Sequence, residues 1–263
     1  MSQINSFNLH IPYLNEKRRI QVYLPKNYKE KSSFPVLYMH DGQNLFDFHS
    51  SYSGISWDVC KTLDNFYDDT GIGIIVVGVD NHPLKRLNEY SPWESNSIEK
   101  LIPNFDINLP IGGLGQEYND WFIKMLVPFI NKHFKTDTTN NYIAGSSMGG
   151  YISLYIGYKN PKVFKAIGAF STAIWFNKEK LFDFISLNFK KDTKVYLDVG
   201  TKETSSDSNL SFSKIYLDDT LDLARLLESN GIKDLLVIVD QDAIHSEKEW
   251  SKRFPKFIEW LFN

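Results

Sequence analysis

The order of apolar and polar positions along the chain predicts alternating strands and helices. The segment from Ile4 to Leu24 switches between polar and apolar residues around Asn15, which predicts an antiparallel hairpin. Short apolar runs follow, each suited to one buried strand, at 35–39, 72–79, 141–144, 166–170, 194–199 and 235–239. Because these runs are apolar at consecutive positions, other elements must cover both faces of the strands.

Longer segments between these runs predict helices at 116–134, 150–159, 220–230 and 247–262. Strands that alternate with helices are typical of an α/β fold with a mostly parallel sheet and helices on both faces. We therefore predict a single domain over residues 1–263, with the hairpin at its N-terminus. Around 82–115, roughly 35 residues rich in Pro, Asn and Gly interrupt the alternation and carry Tyr90, Trp93 and Phe105, which predicts a lid-like loop.

Composition excludes several classes of protein. With 42% hydrophobic and 15% aromatic residues, the chain does not have the composition of a disordered protein. A net charge of −3 gives no basic surface for nucleic acid or an anionic membrane. The single cysteine, Cys60, excludes an intrachain disulfide and a cysteine-based zinc site. Since no signal-peptide or transmembrane pattern is present, we expect a cytoplasmic protein, unless a signal has been removed. We expect it to be a monomer or a homodimer.

The strongest chemical signal is the G-x-S-x-G pattern formed by Gly145, Ser147 and Gly149 between a predicted strand and a predicted helix. Glycines at these positions let the strand and the helix approach closely. The serine then lies at a helix N-terminus, where free N–H groups stabilise negative charge. A structural glycine turn is the alternative. We predict Ser147 as a nucleophile and the Met148 N–H as one oxyanion donor.

A serine nucleophile needs a general base and an acid that orients the base. Of the six histidines, His245 alone follows Ser147, as the chain order serine, acid, histidine requires. For the acid we prefer Glu203, on the loop after the strand at 194–199. The alternatives left open are Asp198, Asp207, Asp240 and Asp242. Ser246 and Glu249 have the S-x-x-E spacing of a helix capping box.

The loop after the strand at 35–39 is expected to supply a second oxyanion donor. Gly42 would let the backbone approach the substrate, which makes the Gln43 N–H the donor, although an ordinary Asp-Gly turn is the alternative. Loops at 42–57, 82–115 and 171–176 are expected to set substrate choice. The side chains predicted to contact substrate are His40, Trp57, Arg86, Tyr90, Trp93 and Trp175, with core packing as the simpler explanation for Trp57, Arg86 and Trp93 taken singly.

Together these motifs resemble the putative esterase family of α/β-hydrolases, which includes feruloyl and acetyl-xylan esterases, enterochelin-type siderophore esterases and S-formylglutathione hydrolases. The matching segments are 40–47, 89–93, 145–150, 198–203 and 245–250, and the resemblance extends over nearly the whole chain. It implies an α/β-hydrolase fold with Ser147 as nucleophile, His245 as base and Glu203 as acid. Where many relatives carry Asp, this chain has Glu203. The implied oxyanion donors are the N–H groups of Met148 and of the residue after Gly42.

The functional hypothesis is a serine carboxylesterase without metal or cofactor. It would hydrolyse small soluble esters, such as carbohydrate or hydroxycinnamoyl esters, through a Ser-His-Glu triad and an acyl-enzyme. A siderophore trilactone esterase or an acyltransferase with the same triad is the alternative within this chemistry. Outside it, a non-catalytic sugar-binding protein on a hydrolase scaffold is the alternative. A metal-dependent hydrolase is not supported, because the sequence contains no H-x-x-x-H spacing.

Overall fold

A computed structural model describes residues 2–102, 110–206 and 209–263. It contains an eight-stranded sheet in the order β1-β2-β4-β3-β5-β6-β7-β8. The strands are β1 (Gln3–Ile11), β2 (Glu16–Leu24), β3 (Phe34–His40), β4 (Ile75–Val79), β5 (Thr136–Ser146), β6 (Phe164–Phe170), β7 (Lys194–Lys202) and β8 (Leu235–Ile244). β2 is antiparallel to β1 and β4, and the other neighbours are parallel. The predicted α/β class with an N-terminal hairpin is confirmed.

Helices connect the strands and cover the sheet. They are α1 (Val59–Thr70), α2 (Arg86–Glu89), α3 (Ile98–Leu101), α4 (Gly115–Trp121), α5 (Val127–His133), α6 (Met148–Lys159), α7 (Lys178–Asn188), α8 (Phe212–Ser229) and α9 (Glu247–Phe262). A π-helical turn joins α4 to α5, and a 3-10 turn spans Gly42–Asn44. The four predicted helices are present, although α8 begins at Phe212 rather than at 220. Among the described residues, no helix has both the length and the apolar character needed to cross a bilayer.

Two hydrophobic cores lie on opposite faces of the sheet. Successive strand residues point to opposite faces, so Ile143 packs in one core and its neighbour Ala144 in the other. Residues from α4 to α8 pack in the first core, whereas α1 and α9 supply the second with side chains such as Leu63 and Phe254. All of β4 is buried because helices cover both of its faces.

The parallel strands end at one edge of the sheet, and this edge carries the candidate chemistry. Asp41 follows β3, Ser147 follows β5, Ser171 follows β6, Glu203 follows β7 and His245 follows β8, each as the first residue after its strand. In open α/β sheets, ligands bind at the carboxyl ends of the strands.

The stretch around 82–115 contains α2, α3 and an isolated antiparallel bridge between Glu94 and Gly112. Phe105 lies outside the described residues, and so does Asp207. The lid-like loop and the single domain stay predictions.

His40, expected from the sequence to contact substrate, is instead a buried residue at the end of β3. It is 2% exposed, and the rings of Tyr90, Tyr118 and Phe122 have centroids 5.2 to 5.7 Å from its own. Its Nδ1 lies 3.0 Å from the Tyr118 hydroxyl. Burial lowers the pKa of His40 to about 3. The ring is therefore a neutral member of an aromatic cluster.

We expect His40 to make the free energy of unfolding depend on pH. The folded protein keeps the ring neutral, whereas the unfolded chain binds a proton near the ordinary pKa, so acid favours unfolding between about pH 3 and 6.5. His40→Phe should remove up to about 1.4 kcal/mol per pH unit from this slope. Urea unfolding at several pH values between about 4.5 and 6 measures it.

The control is His133→Gln, which changes an exposed histidine on α5. It should keep the slope of the native protein. Equal slopes for the native protein and His40→Phe would contradict a buried, neutral His40.

Candidate active site

Ser147 lies in a strained turn between β5 and α6, with φ 56° and ψ −122°. Its N–H donates to the carbonyl of Phe170 on β6 at 2.9 Å, and its carbonyl accepts from the N–H of Ala173 at 3.2 Å. A β carbon at Gly145 would lie 2.6 Å from the backbone of Gly149, so this approach of strand and helix requires a glycine. Such a conformation persists only where its surroundings hold it in place.

Two backbone N–H groups lie at helix starts near Ser147. Met148 is the first residue of α6, and Gln43 lies in the 3-10 turn that follows β3. The first N–H groups of a helix have no acceptor within the helix. A β carbon at Gly42 would lie 2.6 Å from the backbone of Gly78 on β4, so packing on β4 already requires this glycine. The residues after Gly42 form the 3-10 turn and no hairpin.

An ion pair holds the loop that carries Gln43. Asp41 has a left-handed backbone, with φ 55°. Its Oδ1 and Oδ2 accept hydrogen bonds from Nε and Nη2 of Arg86 at 2.7 and 2.8 Å, and Oδ1 also accepts one from Nδ2 of Asn81 at 2.7 Å. Burial acts to raise the pKa of Asp41, but Arg86 and Asn81 lower it below its usual value. The positive charge of Arg86 is therefore paired with the carboxylate of Asp41.

His245 and Glu203 form a hydrogen-bonded pair at the ends of the adjacent strands β8 and β7. Nδ1 of His245 lies 2.7 Å from Oε2 of Glu203. Burial acts to raise the pKa of Glu203, but hydrogen bonds from His245, Ser171 and the Gly200 N–H lower it below its ordinary value. An ionised carboxylate accepts only, so Nδ1 is the donor in this pair.

The other acid candidates have different partners. Asp198 and Asp240 lie 3.1 and 3.2 Å from the guanidinium of Arg253. Asp242 is exposed and pairs with Lys202 at 2.8 Å. Asp207 is outside the described residues. Among the candidates that the structure describes, Glu203 is the one that contacts His245.

Two aromatic rings hold the imidazole of His245. Trp250 is perpendicular to it with centroids 4.9 Å apart, and Tyr216 is tilted against it at 5.0 Å. Burial raises the pKa of Tyr216 to about 12, and its hydroxyl lies 2.6 Å from the hydroxyl of Ser205. Sequence reasoning missed Tyr216, because nothing in the pattern of α8 separates it from a core residue.

Ser147 and His245 line the same cavity, which has a volume of about 710 Å³. Most of its lining residues have polar side chains, although more of the surface that they expose to the cavity is apolar; they are Asp41, Gln43, Asn44, Ser50, Tyr52, Ser53, Asn81, Pro83, Arg86, Ser146, Ser147, His245, Ser246, Glu247 and Trp250. The expected loop 42–57 thus supplies much of the wall. Polar residues such as Ser50 and Ser53 carried no signal of their own, because they resemble any exposed loop. Within the described ranges, no three histidine, cysteine or acidic side chains are grouped to bind a metal ion.

Of the six side chains predicted to contact substrate, Arg86 lines this cavity. Trp57 is 2% exposed and packs against Phe170, Trp250 and Phe254. The remaining aromatic residues pack within the protein: Tyr90 on His40, Trp93 on Tyr151, Tyr155 and Phe184, and Trp175 on Phe212. Trp57, Tyr90, Trp93 and Trp175 therefore pack inside the protein, and none of the four is among the described residues that line the cavity.

The predicted capping box at the start of α9 is wrong. Ser246 is the N-cap residue, but its side chain makes no cap hydrogen bond. The hydroxyl is buried without a partner in the described part of the chain. Glu249 pairs with Lys252 at 2.8 Å instead.

Comparison with known proteins places this architecture among esterases. A family model described as "Putative esterase" matches residues 11–261. "Uncharacterized protein YbbA" of Bacillus subtilis (strain 168) is 25% identical over 251 residues, which is 93% of this chain and 92% of that protein.

Solved structures give the same fold. The IroE-like serine hydrolase from Shewanella oneidensis has a TM-score of 0.76 at 20% identity, covering 99% of this chain and 79% of the other. Siderophore hydrolase EstA from Aspergillus nidulans has a TM-score of 0.74 at 18% identity, covering 99% and 95%. These likenesses show the α/β-hydrolase type of esterase fold. Because the family model spans almost the whole chain, the protein belongs to the putative esterase family, and ester hydrolysis is the reaction class that this membership supports.

Proposed function

We propose that this protein is a serine carboxylesterase in which Ser147, His245 and Glu203 act as the catalytic triad. One observation carries the proposal: Ser147 and His245 line one cavity, and Nδ1 of His245 donates to the buried carboxylate of Glu203 at 2.7 Å. With the proton on Nδ1, Nε2 is the ring atom that can accept the serine proton. Glu203 then stabilises the imidazolium that forms.

The reaction follows the general order of acyl transfer. The Ser147 hydroxyl attacks the ester carbonyl while His245 takes its proton, and the oxyanion accepts from the N–H groups of Met148 and Gln43. His245 then protonates the leaving alcohol. Water attacks the acyl-enzyme with His245 again as base, which releases the acid and restores Ser147.

The cavity favours a small polar ester. Its volume of about 710 Å³ lies within the range of small-molecule sites, and several of its lining residues, such as Ser50, Ser53 and Asn81, have hydroxyl or amide groups. A trilactone with catechol groups would call for Trp57, Arg86 and Trp93 around it. Two of these lie off the described wall and the third is bound to Asp41. The geometry therefore supports a hydroxylated ester, such as an acylated sugar, over a siderophore.

The charge of the wall also bears on the substrate. Glu247 accepts a hydrogen bond from Nδ2 of Asn44 at 3.2 Å and has no ion-pair partner among the described residues. Asp41 and Arg86 neutralise each other, and the wall has no further Lys or Arg. One carboxylate is thus unbalanced, which favours neutral or cationic esters over anionic ones.

Ser147→Ala tests the mechanism. We expect kcat/KM for 4-nitrophenyl acetate to fall by at least about 10³-fold, because the acyl-enzyme can no longer form. The matched control is Ser153→Ala, which removes a serine from the same helix away from the cavity wall and should keep most of the activity. Hydrolysis within tenfold of the native rate by a folded Ser147→Ala variant would refute the proposal.

Glu247→Gln tests the charge preference. Three acetate esters would be compared, with alcohols ending in a trimethylammonium, a hydroxyl or a carboxylate. The ratio of kcat/KM for the cationic ester over the anionic one should fall by about two- to fivefold, as for a partly exposed charge. Glu259→Gln, at the far end of α9, should leave the ratio unchanged. An unchanged ratio in Glu247→Gln would mean that Glu247 does not select substrates.

A further inference from the structure

Ser171 has an unusual conformation for a serine outside the nucleophile turn. It is the first residue after β6, is 0% exposed and has φ 41°. Its N–H donates to the carbonyl and to Oδ1 of Asp198 on β7, at 2.9 and 3.1 Å. A residue with a β carbon keeps such a backbone only when its surroundings over-determine it, which is common at functional sites.

The hydroxyl of Ser171 has three partners. Nε1 of Trp250 lies 2.8 Å away, Nη2 of Arg253 2.9 Å and Oε1 of Glu203 2.5 Å. Indole and guanidinium groups only donate, and a hydroxyl has one proton and two lone pairs. Trp250 and Arg253 therefore occupy both lone pairs, and the single proton of Ser171 must point to Glu203.

This arrangement fixes the state of the Glu203 carboxyl. Oε1 also accepts from the Gly200 N–H at 2.7 Å, and Nη2 of Arg253 lies 3.7 Å away. The Ser171 hydroxyl and the Gly200 N–H each point a hydrogen at Oε1, and Arg253 brings a positive charge near it. The carboxyl is therefore held as the anion, and Oε2 remains as the oxygen that faces His245.

We propose that Ser171 is a positioning residue, whose hydroxyl fixes Glu203 so that His245 carries its proton on Nδ1 and leaves Nε2 free. The inference rests on the proposed function, because Ser171 acts through Glu203 and His245 and touches no reacting atom. This arrangement also accommodates a glutamate, whose side chain is longer than that of aspartate, because Oε1 is anchored on the sheet while Oε2 reaches the imidazole.

Arg253 holds this arrangement from α9. It is 5% exposed, and its guanidinium lies 3.1 Å from Asp198 and 3.2 Å from Asp240. A buried guanidinium is stable only when it is paired. One side chain thus links carboxylates within β7 and β8 to the hydroxyl of Ser171.

Ser171→Gly tests the inference, because glycine accepts a positive φ without strain and only the hydroxyl and β carbon are lost. We expect kcat for 4-nitrophenyl acetate to fall by about 10- to 100-fold with KM within about threefold, as when other supporting hydrogen bonds are removed. Ser171→Ala, which keeps the β carbon, should show the same loss. Ser33→Gly, in the exposed loop before β3, should leave kcat and KM unchanged.

Nuclear magnetic resonance of His245 gives a readout that a purely structural role would not move. In the native protein, nitrogen shifts should show a protonated Nδ1 and an unprotonated Nε2, with a downfield Nδ1 proton that is absent from His245→Gln. In Ser171→Gly this proton should shift or exchange with water. The opposite tautomer in the native protein would overturn the inference even if the variants fail to fold.

An unchanged Nδ1 proton with kcat within threefold in a folded Ser171→Gly variant would also overturn it. The proposed function would survive that result, since Ser147→Ala tests it separately.

Discussion

The shared edge of the parallel strands is the constraint on which the rest of the site depends. Neighbouring strands lie about 4.8 Å apart, so the first residues after β5, β6, β7 and β8 follow one another across the sheet. This order puts Ser171 between Ser147 and Glu203, and puts Glu203 beside His245. The carboxylate needs no long loop to reach the imidazole. Glu203 contacts His245 because the hydrogen bonds between β7 and β8 fix the positions at which these two residues leave the sheet.

Strain at three strand ends points to a preorganised site. Asp41, Ser147 and Ser171 have φ of 55°, 56° and 41°. Each such residue costs of order 1–3 kcal/mol and must be held by its neighbours. Arg86 holds the first, close packing of β5 on α6 the second, and the hydrogen bonds of Asp198 the third. The groups proposed to act on the ester therefore reach their positions as the chain folds, before substrate binds.

Much of the fold could be predicted from the sequence, since apolar runs mark buried strands and Gly145-x-Ser147-x-Gly149 has few other uses between a strand and a helix. Chain order alone singled out His245, the histidine that lines the cavity together with Ser147. Helix α1 was missed because most of its residues are polar and just Val59 and Leu63 are buried.

The direction of a side chain was harder to predict than its location. His40, Trp57 and Tyr90 lie close in sequence to site loops, but their rings point into the core. Composition records how many aromatic residues are present and not which way each one faces. Arg86 does line the cavity, yet its charge is used by Asp41. Tyr216 and Ser171 come from segments far apart in the chain, and only the folded sheet brings them to His245 and Glu203.

The most direct test of the central claim, that Ser147 is a nucleophile activated by His245, is covalent labelling with a fluorophosphonate followed by peptide mass spectrometry. This claim predicts one adduct per chain, on the peptide that contains Ser147, and much slower labelling of a folded His245→Gln variant. An unlabelled native protein, an adduct on another residue, or equal labelling rates in the two proteins would contradict it.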